Sequence, residues 1–121
     1  RAEILPLTAA LRPESARRAA RTAELLREAS LILDEKVALV FGHSTSWSRS
    51  ELRAQSGLIL GSGLRRSAAR VLGERLGDRL SSRLIDAAVR AIRDDSTEPR
   101  EFQWPGGLIV RVTAGRVEMT R

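Results

Sequence analysis

The chain has 121 residues, no cysteine and a formal net charge of +6. This length accommodates a modest core, and we expect a single domain over residues 1–121. The absence of cysteine excludes a disulfide framework and a thiolate metal site. The lack of cysteine is compatible with a reducing setting, and we expect a cytoplasmic location. The longest apolar run is far shorter than a membrane span, so we expect no membrane segment.

The positive charge is concentrated in the middle of the chain. Residues 42–80 hold seven basic and three acidic residues and so carry +4 of the total charge. Nearly all the cations are arginine, since Lys36 is the only lysine. Guanidinium groups match phosphate oxygens in geometry, so a phosphate-binding surface is one interpretation. A GC-rich genome, which favours arginine codons, is the other.

The first predicted element is a long helix at the centre of the domain. Pro13 suits its first turn, and the helix should run to about Val40 or Phe41. Arg17 and Arg21 lie on its polar side among glutamates, and this side is most simply a solvated face. The positions at helical spacing that should face the core are Ala16, Ala19, Ala23, Leu26, Leu33, Val37 and Val40.

A polar loop, a short helix and a glycine-rich connector should come next. Gly42 ends the long helix, and His43–Ser46 forms the loop. Ser48-Arg49-Ser50-Glu51 has the form of a capping box that opens a short helix around Leu52. Gly61-Ser62-Gly63 should be a flexible connector. No Gly-Lys-Ser/Thr follows these glycines, which excludes a P-loop.

The next predicted helix presents an arginine face. It should run from Leu64 to Leu76, and Gly77 should stop it. Opposite its apolar face lie three arginines with no acidic residue near enough to neutralise them, namely Arg65, Arg66 and Arg70. These three are the first candidates for contact with phosphate. The inward positions of this helix are Leu64, Ala68, Val71, Leu72 and Leu76.

A last helix should be capped by Ser81 or Ser82 and be followed by the polar linker Asp94–Arg100. Arg83 lies near its start. Like the arginines of the long helix, Arg83 has an acidic residue within one turn, so these are weaker candidates for phosphate contact. The inward positions are Leu84, Ile85, Ala88, Val89 and Ile92.

The C-terminal residues have the pattern of a small antiparallel β-meander. Phe102–Trp104 reads as a strand, and Pro105-Gly106-Gly107 as a turn whose glycines permit positive φ. A second strand alternates with period two, a second turn falls at Ala114–Arg116, and Val117–Thr120 is the last strand. We expect a mainly helical α+β fold, with the helical part at about 1–94, the meander at about 101–121, and Trp104 largely buried.

The residue types needed for catalysis are scarce. There is one histidine and no tyrosine or cysteine, so almost no residues are present that could form a nucleophile–base pair or a histidine metal site. His43 in its Ser/Thr loop is better explained as a solvated residue than as a general base, and Asp94-Asp95 sits at a helix end. We predict no catalytic, cofactor-binding or metal-binding residue, and a binding or scaffolding role.

Five motifs in order resemble the substrate-recognition domain of bacterial tRNA(Ile)-lysidine synthetases. The first resembles that family's R-x-x-(L/I)-L-P-x-L element, and the second lies in its following helix. The third motif resembles the family's "lrrrvlr" helix, and the fourth resembles the helix after it. The fifth resembles the family's "lpgg-x-x-v-x-r" turn and strand. Here they are Arg1-x-x-Ile4-Leu5-Pro6-Leu7, Ala23–Glu28, Leu64–Leu72, Ser81–Ile92 and Trp104–Val112, which together cover essentially the whole chain.

The resemblance implies more than this chain contains. Such enzymes are PP-loop ligases that use ATP, with magnesium, to attach lysine to the wobble cytidine of tRNA(Ile). Their nucleotide loop is S-G-G-x-D-S, and Ser62-Gly63-Leu64-Arg65 does not match it. We therefore expect an excised domain that lacks the N-terminal ATP-binding domain, is inactive alone, and binds tRNA(Ile) beside the catalytic domain of its own chain. The nucleic-acid-binding candidates are Arg65, Arg66, Arg70, Arg17, Arg21 and Arg83.

Two other interpretations stay open. The order of three helices and a hairpin resembles a winged-helix DNA-binding domain. Against this, Asp86 and Asp94-Asp95 on the would-be recognition helix would repel DNA phosphates, and that helix lacks asparagine and glutamine for base edges. A helical scaffold without nucleic acid would follow if the arginines reflect genome composition. The sequence leaves open whether the domain forms a homodimer.

Overall fold

The structure, a computed structural model, describes residues 4–73, 75 and 79–121, with side chains from residue 14 onward. It is mainly helical, with a four-stranded antiparallel sheet towards the C-terminus, which confirms the predicted α+β class. The chain divides into two compact units, Arg1–Asp34 and Glu35–Arg121. Among the described helices, none has both the length and the apolar character needed to cross a membrane.

The long helix, α1, spans Ile4–Phe41 and so begins well before Pro13. In the first unit, every described side chain from residue 14 to residue 32 is exposed. The predicted core positions in that stretch, Ala16, Ala19, Ala23 and Leu26, are therefore wrong. The physical reason is that helical periodicity identifies a face, whereas a single helix has nothing of its own to bury that face against.

The second unit contains the end of α1 and all the other elements. Val37 and Phe41 of α1 are buried and Val40 is half-buried, and Leu33, near the end of the first unit, is also half-buried. Gly42 ends the helix as predicted, with φ of 55° and its N–H donated to the Ala38 carbonyl at 2.9 Å. The elements that follow are β1 (Ser46–Ser48), α2 (Arg49–Arg53), α3 (Gly57–Leu72), α4 (Ser82–Arg93), β2 (Arg100–Trp104), β3 (Leu108–Val112) and β4 (Arg116–Thr120).

Helix α3 corrects the predicted glycine connector, because Gly61-Ser62-Gly63 lies inside it. Ser56 caps the helix by accepting a hydrogen bond from the N–H of Ile59 at 3.3 Å. Gly63 is needed for close packing rather than for flexibility, since a Cβ there would meet the ring of Phe41. The predicted capping box is also wrong in detail, because the Ser48 hydroxyl lies 3.0 Å from that of Ser50 and caps no N–H.

The apolar faces of α3 and α4 are largely as predicted. Ser81 caps α4, accepting from the N–H of Leu84 at 3.3 Å. Helix α3 ends at Leu72 and is followed by Gly73, with φ of 88°, whereas the predicted stop at Leu76 and Gly77 lies outside the described residues. Six predicted inward residues are buried, namely Leu64, Ala68, Leu72, Ile85, Ala88 and Ile92, and three are half-buried, namely Val71, Leu84 and Val89.

The sheet has four strands in the order β1-β4-β3-β2, all antiparallel, so the predicted three-stranded meander is incomplete. The extra strand comes from the segment after the predicted polar loop, where Trp47 pairs with Val117. The predicted turn at Pro105–Gly107 is present, with Gly106 and Gly107 at positive φ. Trp104 is only 4% exposed, as expected. The inward residues of β3 are fully buried: Leu108, Val110 and Val112.

Candidate nucleic-acid interface

Helix α3 carries the three leading candidate arginines. Arg66 and Arg70 are exposed, and Arg65 is half-buried. Arg65 donates from Nη1 to the Leu80 carbonyl at 2.9 Å, and Arg70 donates from Nη1 to the Gly42 carbonyl at 2.8 Å. These two guanidinium groups are thus oriented by backbone oxygens, which carry no formal charge, so their positive charges are kept.

Arg66 and Arg70 share a pocket between the C-terminal end of α1 and helix α3, which we call the arginine pocket. Its volume is about 100 Å³. Its lining includes two buried apolar residues and one buried polar residue, Ser67, which is 3% exposed. No carboxylate is among its lining residues, which are Val37, Ala38, Phe41, Gly42, His43, Arg66, Ser67 and Arg70.

Arg65 faces a different depression, the groove between α3 and α4. This groove is larger and more open, at about 410 Å³. Asp86 lines this groove together with Arg65, so a carboxylate is present in the groove. The other lining residues are mostly small: Gly57, Leu58, Gly61, Ser62, Ser82 and Ile85. The structure therefore brings Arg66 and Arg70 together and separates Arg65 from them.

The weaker candidates are all exposed, but they line neither cavity. Arg17 and Arg21 lie one turn apart on α1, in the first unit. Arg83 lies in the first turn of α4, three residues before Asp86, so an acidic residue lies within one helical turn of it. A cation at a helix N-terminus is opposed by the helix dipole, so Arg83 gains nothing from its own helix.

Arg49 is buried, at only 3% exposed, and its role was not predicted from the sequence. Its guanidinium group donates to the carbonyls of Ala91, Ile92 and Asp94, at the C-terminal end of α4, at 3.0, 3.2 and 2.9 Å. It also donates to the carbonyls of Ser96 and Thr113, at 2.7 and 3.2 Å. One side chain therefore joins α2, the end of α4, the linker and the end of β3.

Asp94 is the carboxylate partner of this buried arginine. Arg49 Nη2 lies 3.2 Å from Asp94 Oδ1, and Arg100 forms a second, bidentate contact with the same carboxylate. The side-chain hydrogen bond from Arg100 lowers the pKa of Asp94, and the N–H of Ser96 and the charges of both arginines act in the same direction, against a smaller effect of burial. Arg49 and Arg100 are thus structural and are not available to a ligand.

No local pattern marked Arg49, since it sits in a polar segment that reads as a helix cap. The one usable signal was the pair Asp94-Asp95 immediately after a predicted helix. Carboxylates and free carbonyls at a helix C-terminus attract a cation, which predicts an arginine partner without saying which one.

Comparison with models of protein families, with curated proteins and with solved structures finds no match to this chain. The fold and the cavities define, on their own terms, a small mainly helical α+β domain. Within the part of the chain that the structure describes, one pocket brings two arginines together with no carboxylate in its lining.

Proposed function

We propose that this chain is the tRNA-binding, substrate-recognition domain of a tRNA(Ile)-lysidine synthetase. The observation that supports RNA binding is the arginine pocket, where Arg66 and Arg70 stand at a cavity without a carboxylate. Contacts of this kind to phosphate position a nucleic acid without reading its sequence. The assignment to lysidine synthesis rests on the order of five motifs along the chain.

In the proposed enzyme this domain holds tRNA(Ile) against the catalytic domain of the same chain, in the cytoplasm. The catalytic domain binds ATP with magnesium, adenylylates the wobble cytidine and attaches lysine. This polypeptide supplies the positioning and neither consumes ATP nor modifies tRNA. Pyrophosphate release by the purified domain, given ATP, lysine and tRNA, would overturn this division of roles.

The experiment that tests the proposal compares RNA with DNA. The domain is titrated into fluorescently labelled tRNA and into a labelled DNA duplex with a matched number of phosphates, and anisotropy is followed. We expect weak binding to tRNA, with little difference between tRNA species, because the pocket offers phosphate contacts rather than base contacts. Absence of tRNA binding at low salt contradicts the proposal, and a clear preference for the DNA duplex favours the winged-helix alternative.

A further inference from the structure

We infer that the arginine pocket binds one phosphate group of the RNA backbone. This inference deepens the proposed function and rests on it for the identity of the ligand as RNA. That the bound group is a phosphate is inferred from the pocket alone, from the residues at its rim and on its floor and from its size.

The rim supplies charged donors. Arg66 and Arg70 are four residues apart on α3, so both side chains lie on the same face of the helix. The Arg70 guanidinium group is held by the Gly42 carbonyl through Nη1. A guanidinium group has five N–H donors, so this contact orients Arg70 and uses only part of its donor capacity. His43 adds a ring nitrogen at the same rim.

The floor of the pocket is rigid. Phe41 is 2% exposed, packs on Gly63, and meets the ring of Trp47 edge to face at a centroid distance of 5.2 Å. The indole N–H of Trp47 donates to the Phe41 carbonyl at 2.9 Å. Ser67, which is buried, also lines the pocket, and a serine hydroxyl can donate to a phosphate oxygen. A ligand would therefore meet a site that is already formed.

The size and the electrostatics of the pocket fit one small anion. Its volume of about 100 Å³, against about 410 Å³ for the groove between α3 and α4, marks a small cavity, which suits a phosphate group. The carbonyl end of α1 opposes an anion here, but the Arg70 hydrogen bond to Gly42 offsets part of that effect. A single phosphate should therefore bind weakly, and a polynucleotide more tightly through its neighbouring phosphates.

The test uses a matched pair of double variants. Arg66→Gln with Arg70→Gln removes both charges from the pocket. Arg90→Gln with Arg93→Gln removes two charges from the exposed end of α4, at residues that are not nucleic-acid-binding candidates and line neither the arginine pocket nor the groove between α3 and α4. We expect the pocket variant to lose about tenfold in tRNA affinity, and its log–log salt slope to flatten by about one unit, as one lost phosphate contact requires. The control should lose much less.

A second measurement needs no variant. Inorganic phosphate is titrated into the isotopically labelled domain, and NMR shifts are followed at the arginine Nε–H groups and at the amides of Gly42 and His43. Shifts that concentrate at Arg66, Arg70 and these amides support the pocket. Shifts that instead centre on Arg65 or spread over all the arginines overturn it.

The outcomes separate the inference from the proposed function. If the parent domain binds tRNA and the two double variants lose affinity equally, the pocket inference fails and the proposed function stands. If the domain does not bind tRNA while inorganic phosphate still titrates the pocket, the proposed function fails, and the site is one for free phosphate. A thermal melt of each variant confirms that it is folded.

Discussion

The ring of Phe41 packs directly against the Cα of Gly63. A Cβ at position 63 would lie 2.1 Å from Cε1 of that ring, far inside the limit for real contacts. The ring cannot easily move aside, because Phe41 is buried and its carbonyl accepts the indole N–H of Trp47. Only glycine therefore allows the end of α1 to pack against α3 and form the arginine pocket.

Gly63→Ala should destabilise the domain by about 1–3 kcal/mol, as overpacking does, although alanine is the better helix former. Gly61→Ala is the matched control in the same helix. Its Cβ would lie 3.6 Å from Cγ2 of Ile85, an ordinary contact, so it should be neutral or stabilising by up to about 1 kcal/mol. Urea denaturation measures both variants, and equal effects would disprove the packing role of Gly63.

Arg49→Met should cost about 3–5 kcal/mol of unfolding free energy, because it leaves several buried carbonyls without their donor and removes one of the two arginine partners of Asp94. Arg49→Lys should recover little, since an ammonium group cannot span oxygens held by a planar fork. The control is Arg53→Ala, whose ion pair with Asp95 is exposed and should be worth less than about 1 kcal/mol. Similar urea midpoints for Arg49→Met and Arg53→Ala would contradict the structural role of Arg49.

Asp94 should make part of the stability pH-dependent. Because its pKa is below the ordinary value of 3.8, the charged form is favoured in the folded state. Its contribution is thus fully present above that pH and is lost as the pH falls through the lower, folded pKa. The difference in unfolding free energy between the parent and Asp94→Asn should therefore be constant near neutral pH and shrink in acid. A difference that does not change with pH would argue against this ion pair.

Trp104→Ala should cost about 3–5 kcal/mol, as a large-to-small change in the core. Trp104→Phe is the milder comparison, because it keeps an aromatic ring and loses no hydrogen bond to any described residue. We expect it to cost much less than the alanine variant. Thermal unfolding measures the stability of both variants. A Trp104→Ala variant as stable as the parent would show that this end of the sheet does not stabilise the core.

The tail and the inward faces of α3 and α4 could be predicted because their patterns are local. Alternation along β3, and glycine at the positive-φ positions of the turn after Trp104, follow from the backbone alone. The spacing of Arg66 and Arg70 on one helix face was predictable for the same reason.

The remaining features depend on contacts between distant segments. The fourth strand, β1, is three residues long and exists because it pairs with β4, which no local pattern specifies. Gly61 and Gly63 suggested a flexible connector because glycine is a weak helix former, and tertiary packing overrode that propensity. Arg49 bonds to oxygens more than forty positions away in sequence, so its burial could not be foreseen.

The most direct test of the central claim is tRNA affinity measured against salt concentration. With about two to four phosphates neutralised, the log–log slope should lie between about −2 and −4. A triple variant, Arg65→Ala with Arg66→Ala and Arg70→Ala, should bind more weakly and with a flatter slope. A thermal melt must accompany it, because two of these arginines also donate to backbone carbonyls. If the folded variant binds tRNA as well as the parent at every salt concentration, the arginines reflect composition and the proposed interface is wrong.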